Sequence, residues 1–350
     1  AEPIDYEIYL GIAAILLVLE AGRRVVGNVL PCMSVIFLAY CYFGNYAPGI
    51  FQIRGYSLSR IIQHMYLTPE GIFGLALGVS ATFVIVFIIF GAYLSQSGGA
   101  KFFNELALAI AGSKPGGPAK VAVVASGLLG TINGSSVANV ATTGTFTIPL
   151  MKRVGYAPYY AGAVEACAST GGQLMPPIMG AGAFIMSEFL NIPYLSIAAA
   201  AIIPALIYYT AIFTNVHIRA RKKKLRGIPK SDLPSVREVM RSDGHLLVPV
   251  IVVIITLLMK YTPLRAGFIG VVAVIIVSSL KKNTRMTLKD NFNALVEGAR
   301  GGLGVALACA LVGFIVGTSS LTSLGLTISN NIIDISGGNL VLTLVMAMVA

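Results

Sequence analysis

The chain has 350 residues, of which 56% are apolar and only 11% charged, and its mean hydropathy is +0.82. A soluble domain carries about 25% charged residues, so the composition excludes an ordinary water-soluble globule and describes a chain that crosses a membrane several times. The net charge of +11 does not mark a nucleic-acid binder. The Lys and Arg residues sit in short loops between apolar runs, where they set orientation and meet anionic headgroups of the bilayer.

A spanning helix needs about 20 residues. Apolar runs that span or nearly span lie at 8–19, 25–43, 71–94, 194–216, 246–259, 266–280 and 294–317, and a last one starts at 340. The chain opens on Ala1, the first run is clipped, and the last has no visible stop, so both ends read as cut. Trp is absent, which leaves 15 Tyr to supply the interfacial aromatic belt. Cys32, Cys41, Cys167 and Cys309 are scattered with no C-x-x-C pair and read as structural thiols. His64, His217 and His245 lack ligand spacing, so no metal site beyond a sodium site is expected. The chain divides into helices at 1–70, a first repeat at 71–216, a basic linker with scaffold helices at 217–293, and the start of a second repeat at 294–350.

Two segments between the runs do not fit simple spans. Residues 119–151 hold two apolar arms, 121–132 and 146–151, around the polar sequence TINGSSVAN at 131–139. Each arm is too short to cross, so the segment predicts a re-entrant hairpin with its tip inside the membrane. Irregular backbone is tolerated there only where protein buries it or water reaches it. Residues 159–190 form an interrupted segment, broken at STGGQLMPP, 169–177. The cluster Arg219, Arg221, Lys222, Lys223, Lys224 and Arg226 is taken as cytoplasmic. Counting outward from it puts Lys120 and Lys152, the two feet of the hairpin, on the same side. The cluster itself reads as a topology determinant. Residues 101–112 and 320–334 are short and amphipathic, suited to lie at the interface or to brace neighbours.

A faint repeat links 71–94, an amphipathic arm and Gly116-Gly117 with 294–317, an arm and Gly337-Gly338. The two copies start on opposite sides, as inverted repeats of secondary transporters do. The equivalent of Gly134 in the second copy falls beyond residue 350. The expected fold is therefore an all-α polytopic membrane protein with inverted repeats, re-entrant hairpins and broken helices.

The candidate site residues come from the two irregular segments. Gly134 admits backbone angles that other residues resist. Ser135, Ser136 and Asn139 offer hydroxyl and amide oxygens that suit a hard cation such as Na⁺. The alternative is close helix packing through small residues. In the second segment, Ser169, Gly171 and Gly172 precede Pro176 and Pro177. Broken helix ends there would leave free carbonyls for a cation and free amides for an anion, the alternative being a simple Pro kink. The two segments frame one Na⁺ site, with Thr142, Thr143, Thr170, Gln173, Pro176 and Pro177 as substrate-facing candidates. Thr142, Thr143, Thr145 and Thr147 cannot all face one cavity, so most of them should bond back to their own helix. Glu165 and Glu188 are candidates for proton relay as intramembrane carboxylates. Each lies close enough to an end of its segment to be merely solvated, and Glu297 and Asp334 read as interfacial.

The runs GTINGSSVANVATTGTFTIPLMKRVGY (130–156) and EACASTGGQLMPPIMGAGAFIM (165–186) resemble the large membrane subunit of tripartite ATP-independent periplasmic (TRAP) transporters. Residues 64–99 resemble the junction of fused permeases, in which a small four-helix subunit precedes the large one, and the TAXI type is the nearest match. The resemblance covers about residues 20–350 and makes 1–70 the small-subunit-like part. It implies an elevator-type carrier of the bacterial inner membrane, a sodium ion as coupling ion, a small organic anion such as a dicarboxylate as substrate, and a periplasmic TAXI-type substrate-binding protein as partner. It also implies that the hairpin tip and the broken helix share the sodium site.

An enzyme is not expected, since the membrane segments hold no nucleophile–base set, G-x-S-x-G or aspartate pair. No P-loop appears, so ATP hydrolysis is not expected either. The alternatives are an ion-coupled dicarboxylate or anion carrier that needs no binding protein and, further off, a membrane scaffold. The small-subunit-like region argues against the first, and the cost of polar tips in the membrane against the second.

Overall fold

The computed structural model describes residues 4–349, and all regular structure among them is helical. In chain order the helices are α1 (Asp5–Val25), α2 (Val29–Phe43), α3 (Leu58–Ile62), α4 (Leu75–Val79), α5 (Ile85–Leu94), α6 (Ala100–Ala111), α7 (Gly117–Asn133), α8 (Ser136–Arg153), α9 (Pro158–Gly171), α10 (Ala181–Leu190), α11 (Tyr194–Lys222), α12 (Val236–Asp243), α13 (Val248–Leu258), α14 (Pro263–Ser278), α15 (Leu288–Thr322), α16 (Leu324–Ser336) and α17 (Leu340–Val349). Five helical runs among the described residues are long and apolar enough to cross a membrane: Val29–Tyr46, Leu75–Ala111, Tyr194–Lys222, Val236–Leu258 and Leu288–Thr322. Large apolar side chains such as Ile203, Leu206 and Ile207 stand exposed on α11, a surface that suits lipid rather than water. The chain is a multi-pass membrane protein.

The chain forms two compact units, one from residues 1–80 with 303–350 and the other from Ala81–Gly302. In the first unit the core gathers Cys41, Ile61, Met65, Ile72, Ala310, Leu311 and Phe314. Polar side chains tie the latter part of α15 into this unit. Ser34 donates to the Leu311 carbonyl at 3.1 Å, and Tyr56 donates to the Leu321 carbonyl at 2.8 Å. Gly313 permits contact with the Gly71 backbone, since a Cβ there would lie 2.4 Å from the Gly71 carbonyl oxygen.

In the second unit α5 packs on α14 and on the first turns of α15 through glycines. Cβ atoms added at Gly267, Gly270 and Gly298 would meet Val86, Phe90 and Ile89 of α5, each at 2.9 Å. Without a hydrophobic force between helices in lipid, such close approach supplies the packing. Helix α6, the amphipathic 101–112 stretch of the sequence, packs against α7 and α12. Helices α7, α8 and α9 pack on one another, with Ala119, Ala122, Met151, Ala161, Val164 and Ala168 in their shared core. Gly116, in the left-handed region at φ +69°, starts α7, and Pro118 follows in its first turn, where its missing N–H costs nothing.

Candidate functional site

Helix α7 stops at Asn133 because Gly134 turns left-handed at φ +58°. A Cβ at Gly134 would lie 2.0 Å from the Met179 carbonyl oxygen, so only glycine fits where the turn meets the chain after α9. Ser135 then starts α8 as its cap, accepting from the Ala138 amide at 3.3 Å. Helix α9 ends at Gly171, passes through one tight turn at Gly172–Leu174, and resumes as α10 only at Ala181. The chain between is held to two helices: the Ile178 amide donates to the Thr131 carbonyl near the end of α7 at 3.3 Å, and Tyr194 at the start of α11 donates to the Pro177 carbonyl at 2.8 Å. Behind this turn Gly130 and Gly172 meet backbone to backbone, a Cβ at Gly130 falling 2.3 Å from the Gly172 Cα.

The structure sorts the candidate residues into two groups. At the turn, Ser136 accepts from Gln173 Nε2 at 3.2 Å. Gln173 and Thr170 are exposed, with Thr170 bonded back to the Ala166 carbonyl, and Pro176 and Pro177, joined by a cis bond, are half-buried. Thr142 lies on this outer side, bonded to the Ala138 carbonyl at 2.8 Å. One turn deeper, Asn139, Thr143, Ser169, Gly171 and Gly172 are buried. All four threonines of α8 bond back to its carbonyls as expected from their spacing, but Thr143 and Thr147 point inward and Thr142 and Thr145 do not.

Asn139 is fully buried at 0% exposure. Its Nδ2 donates to the Ser126 carbonyl at 2.8 Å, which fixes the amide's orientation, since its oxygen cannot approach another acceptor so closely. The Asn139 Oδ1 is then buried with no hydrogen-bond partner, while Nδ2 is the atom nearest Gly172, 3.1 Å from where a Cβ there would lie. Leaving such an acceptor unpaired costs about 1–3 kcal/mol. An oxygen held this way, next to the end of α9, matches what a hard cation takes as a ligand.

One expectation is overturned. Glu165 is not solvated: it is among the largest fully buried side chains, at 0% exposure. Four hydroxyls from three helices converge on it. Ser126 of α7 and Ser169 of α9 donate to Oε1 at 3.2 and 3.1 Å, Thr143 of α8 donates to the same oxygen, and Thr147 of α8 donates to Oε2. Gly144 makes room for it, a Cβ there falling 3.2 Å from the Glu165 Cγ. Glu188 is exposed as expected. Ser126 escaped the sequence reading, and Thr147 entered it only among the threonines expected mostly to bond back to their own helix, although a signal existed. Asn139, Thr143 and Thr147 stand four apart on α8, as Glu165 and Ser169 do on α9, and i,i+4 polar stripes on two apolar helices mark faces that meet.

At the foot of α7 the buried Lys120 places its Nζ 3.0 Å from His217 Nδ1 and 5.1 Å from the centre of the Phe213 ring, both on α11. Beside the turn, Gln173, Met179, Gly180, Met186, Ile197 and Pro204 line a mostly apolar cleft of about 580 Å³.

Residues 13–350 match the family described as "Tripartite ATP-independent periplasmic transporter, DctM component". The chain is 27% identical over 232 residues to the C4-dicarboxylate TRAP transporter large permease protein of Pseudomonas aeruginosa, covering 64% of this chain and 53% of that protein. It is 29% identical over 168 residues to the isethionate TRAP transporter permease protein of Oleidesulfovibrio alaskensis, covering 47% and 26%. It is 25% identical over 256 residues to the sialic acid TRAP transporter large permease protein of Vibrio cholerae, covering 70% and 58%. The chain thus spans about half the length, or less, of these curated relatives. With a match running through both units and both irregular segments, this chain belongs to the DctM component family of TRAP transporter permeases.

Proposed function

We propose that the chain is the permease part of a binding-protein-dependent carrier that uses sodium to import a small organic anion across the bacterial inner membrane. The α7–α8 hairpin and the α9–α10 break belong to the part that moves against the rest in an elevator-type cycle. The coupling ion sits at Asn139, where Gly134, Ser135, Ser136, Ser169, Gly171 and Gly172 give the backbone and hydroxyl surroundings. The observation that carries this reading is the buried Asn139 Oδ1, an acceptor with no partner set at a helix break. The anionic substrate approaches the exposed side of the same turn, near Gln173, Thr142, Thr170, Pro176 and Pro177, where amides at the starts of α8 and α10 favour negative charge. The names of the relatives, for a C4-dicarboxylate, isethionate and sialic acid, support an organic acid. The resemblance of 64–99 to fused junctions supports a fused permease served by a TAXI-type periplasmic binding protein.

The test is uptake of labelled dicarboxylates by the full-length permease in proteoliposomes, with its cognate binding protein outside. Uptake should need both the binding protein and an inward sodium gradient, and Asn139→Ala should lower it by at least tenfold, as expected for loss of a direct cation ligand. Sodium-independent uptake by the unaltered protein would sink the ion assignment. Uptake without the binding protein would sink the partner assignment.

A further inference from the structure

Helix α11 is the least buried of the spanning runs, and one of its faces changes character along its length. Ile203, Leu206 and Phe213 stand exposed on it. His217 and Arg221 continue the same face toward the end of the helix, because steps of three, four and seven residues return to one side of a helix. The face is thus apolar for most of its length and basic at its foot.

That foot is clasped to two other segments. The Gly116 amide donates to the Leu225 carbonyl at 3.3 Å, and the Ile228 amide donates to the Gly112 carbonyl at 3.0 Å. Tyr156 donates to the Gly116 carbonyl at 3.5 Å, and the Arg219 guanidinium stands 5.2 Å from the centre of the Tyr160 ring. The clasped segments 112–120, 152–160 and 213–228 carry ten Lys and Arg and no Asp or Glu. Among the described residues none of these ten cations is in an ion pair. Folding therefore gathers positive charge and supplies no carboxylate to offset it, so an anion from outside relieves the repulsion.

Lys120 gives the cluster a direction. It is 3% exposed, with its Nζ 3.0 Å from His217 Nδ1 and the Phe213 ring on another side. An ammonium group only donates. The Nδ1 of His217 therefore accepts, and the imidazole is neutral with its proton on Nε2, the nitrogen turned away from Lys120. His217 is only half-buried, and the charge behind its ring strengthens the Nε2–H toward an anion. One turn on, the exposed Arg221 offers a planar fork of donors that matches a phosphate.

We infer that this face of α11 is a binding site for an anionic phospholipid. The phosphate accepts from His217 Nε2 and the Arg221 guanidinium, with Lys120 behind the imidazole, and an acyl chain lies along Phe213, Leu206 and Ile203. From residue 213 to residue 203 the helix rises roughly 15 Å, about the depth of one leaflet in a hydrocarbon core of about 30 Å. The apolar part of the face thus favours a lipid over a soluble phosphate. The uncompensated cations favour a lipid of net negative charge over a zwitterionic one, which brings its own cation.

The test uses delipidated full-length permease in a neutral detergent, titrated with phosphatidylglycerol, phosphatidylcholine and soluble glycerol phosphate, with bound lipid counted by native mass spectrometry. The first phosphatidylglycerol is expected to bind on the order of tenfold more tightly than phosphatidylcholine, and glycerol phosphate is expected not to displace it. His217→Phe, which keeps a ring without the donor, and Arg221→Gln should each cut that preference on the order of fivefold. Lys120→Met should cut it similarly without touching the lipid, because the imidazole loses the charge behind it. Lys282→Gln, at an exposed cation outside the clasped segments, should leave it unchanged. Equal binding of the two lipids by the unaltered protein would overturn the site. An equal loss in Lys282→Gln would also overturn it, by reducing the effect to diffuse charge. Displacement of phosphatidylglycerol by an equal concentration of glycerol phosphate would make the ligand a free phosphate and overturn the lipid assignment. If Lys120→Met does not fold, the two surface positions decide, since a preference unmoved by both His217→Phe and Arg221→Gln leaves no site on this face.

Discussion

The turn between α7 and α8 and the helix faces one turn behind it make an instructive contrast. The turn is the conspicuous part: glycine, serines and an asparagine in an apolar chain. Yet its side chains make few and local contacts. Ser135 caps its own helix, and Ser136 holds Gln173 at a partly exposed position. The faces behind it look plain in the sequence, but they bury Asn139, Thr143, Thr147, Glu165, Ser126 and Ser169, and they bring Gly130 against Gly172. A polar group in an exposed turn exchanges water for protein at little net gain, whereas a buried one must be satisfied by its neighbours. Stability should therefore reside behind the turn, and the turn itself should be free to serve a ligand.

Three substitutions in the full-length permease sharpen this contrast. The largest effect is expected from Gly130→Val. Its side chain would meet the Gly172 backbone, which cannot step aside as a flexible side chain would, so thermal melting should show a loss of about 3 kcal/mol. Next is Thr147→Val, nearly the same shape without the donor to Oε2. It should cost about 1–3 kcal/mol. A Thr147→Val protein as stable as the unaltered one would contradict the hydroxyl arrangement. The smallest effect belongs to Ser136→Ala at the turn, where melting should stay within about 0.5 kcal/mol of the unaltered protein. A loss as large as that of Thr147→Val would erase the distinction between the two regions.

Much of the fold follows from local rules. The apolar runs had to become helices, because lipid offers no partner for backbone N–H and C=O groups. Glycine after Asn133 and the Gly-Gly and Pro-Pro pairs after Ser169 stop helices through backbone sterics that act within a few residues. The sequence therefore located the turn after α7 and the break after α9 without reference to the rest of the molecule. It also carried the family, since the 130–186 block holds a string of such locally constrained positions.

The sequence did not decide which polar residues share an interior. Thr142 and Thr143 are neighbours of the same chemistry, and only the packing of α8 on α7 and α9 sends one outward and the other to Glu165. Glu165 read as solvated because its place near the end of a segment says nothing about which helices cover it. The three that do are separated along the chain by the turn at Gly134 and the loop after α8. Burial is a sum over contacts distant in sequence, while helix stops and turns are paid for locally. Residue types and spacing thus determined where the chain breaks, and only tertiary packing decided which broken ends and side chains face one another.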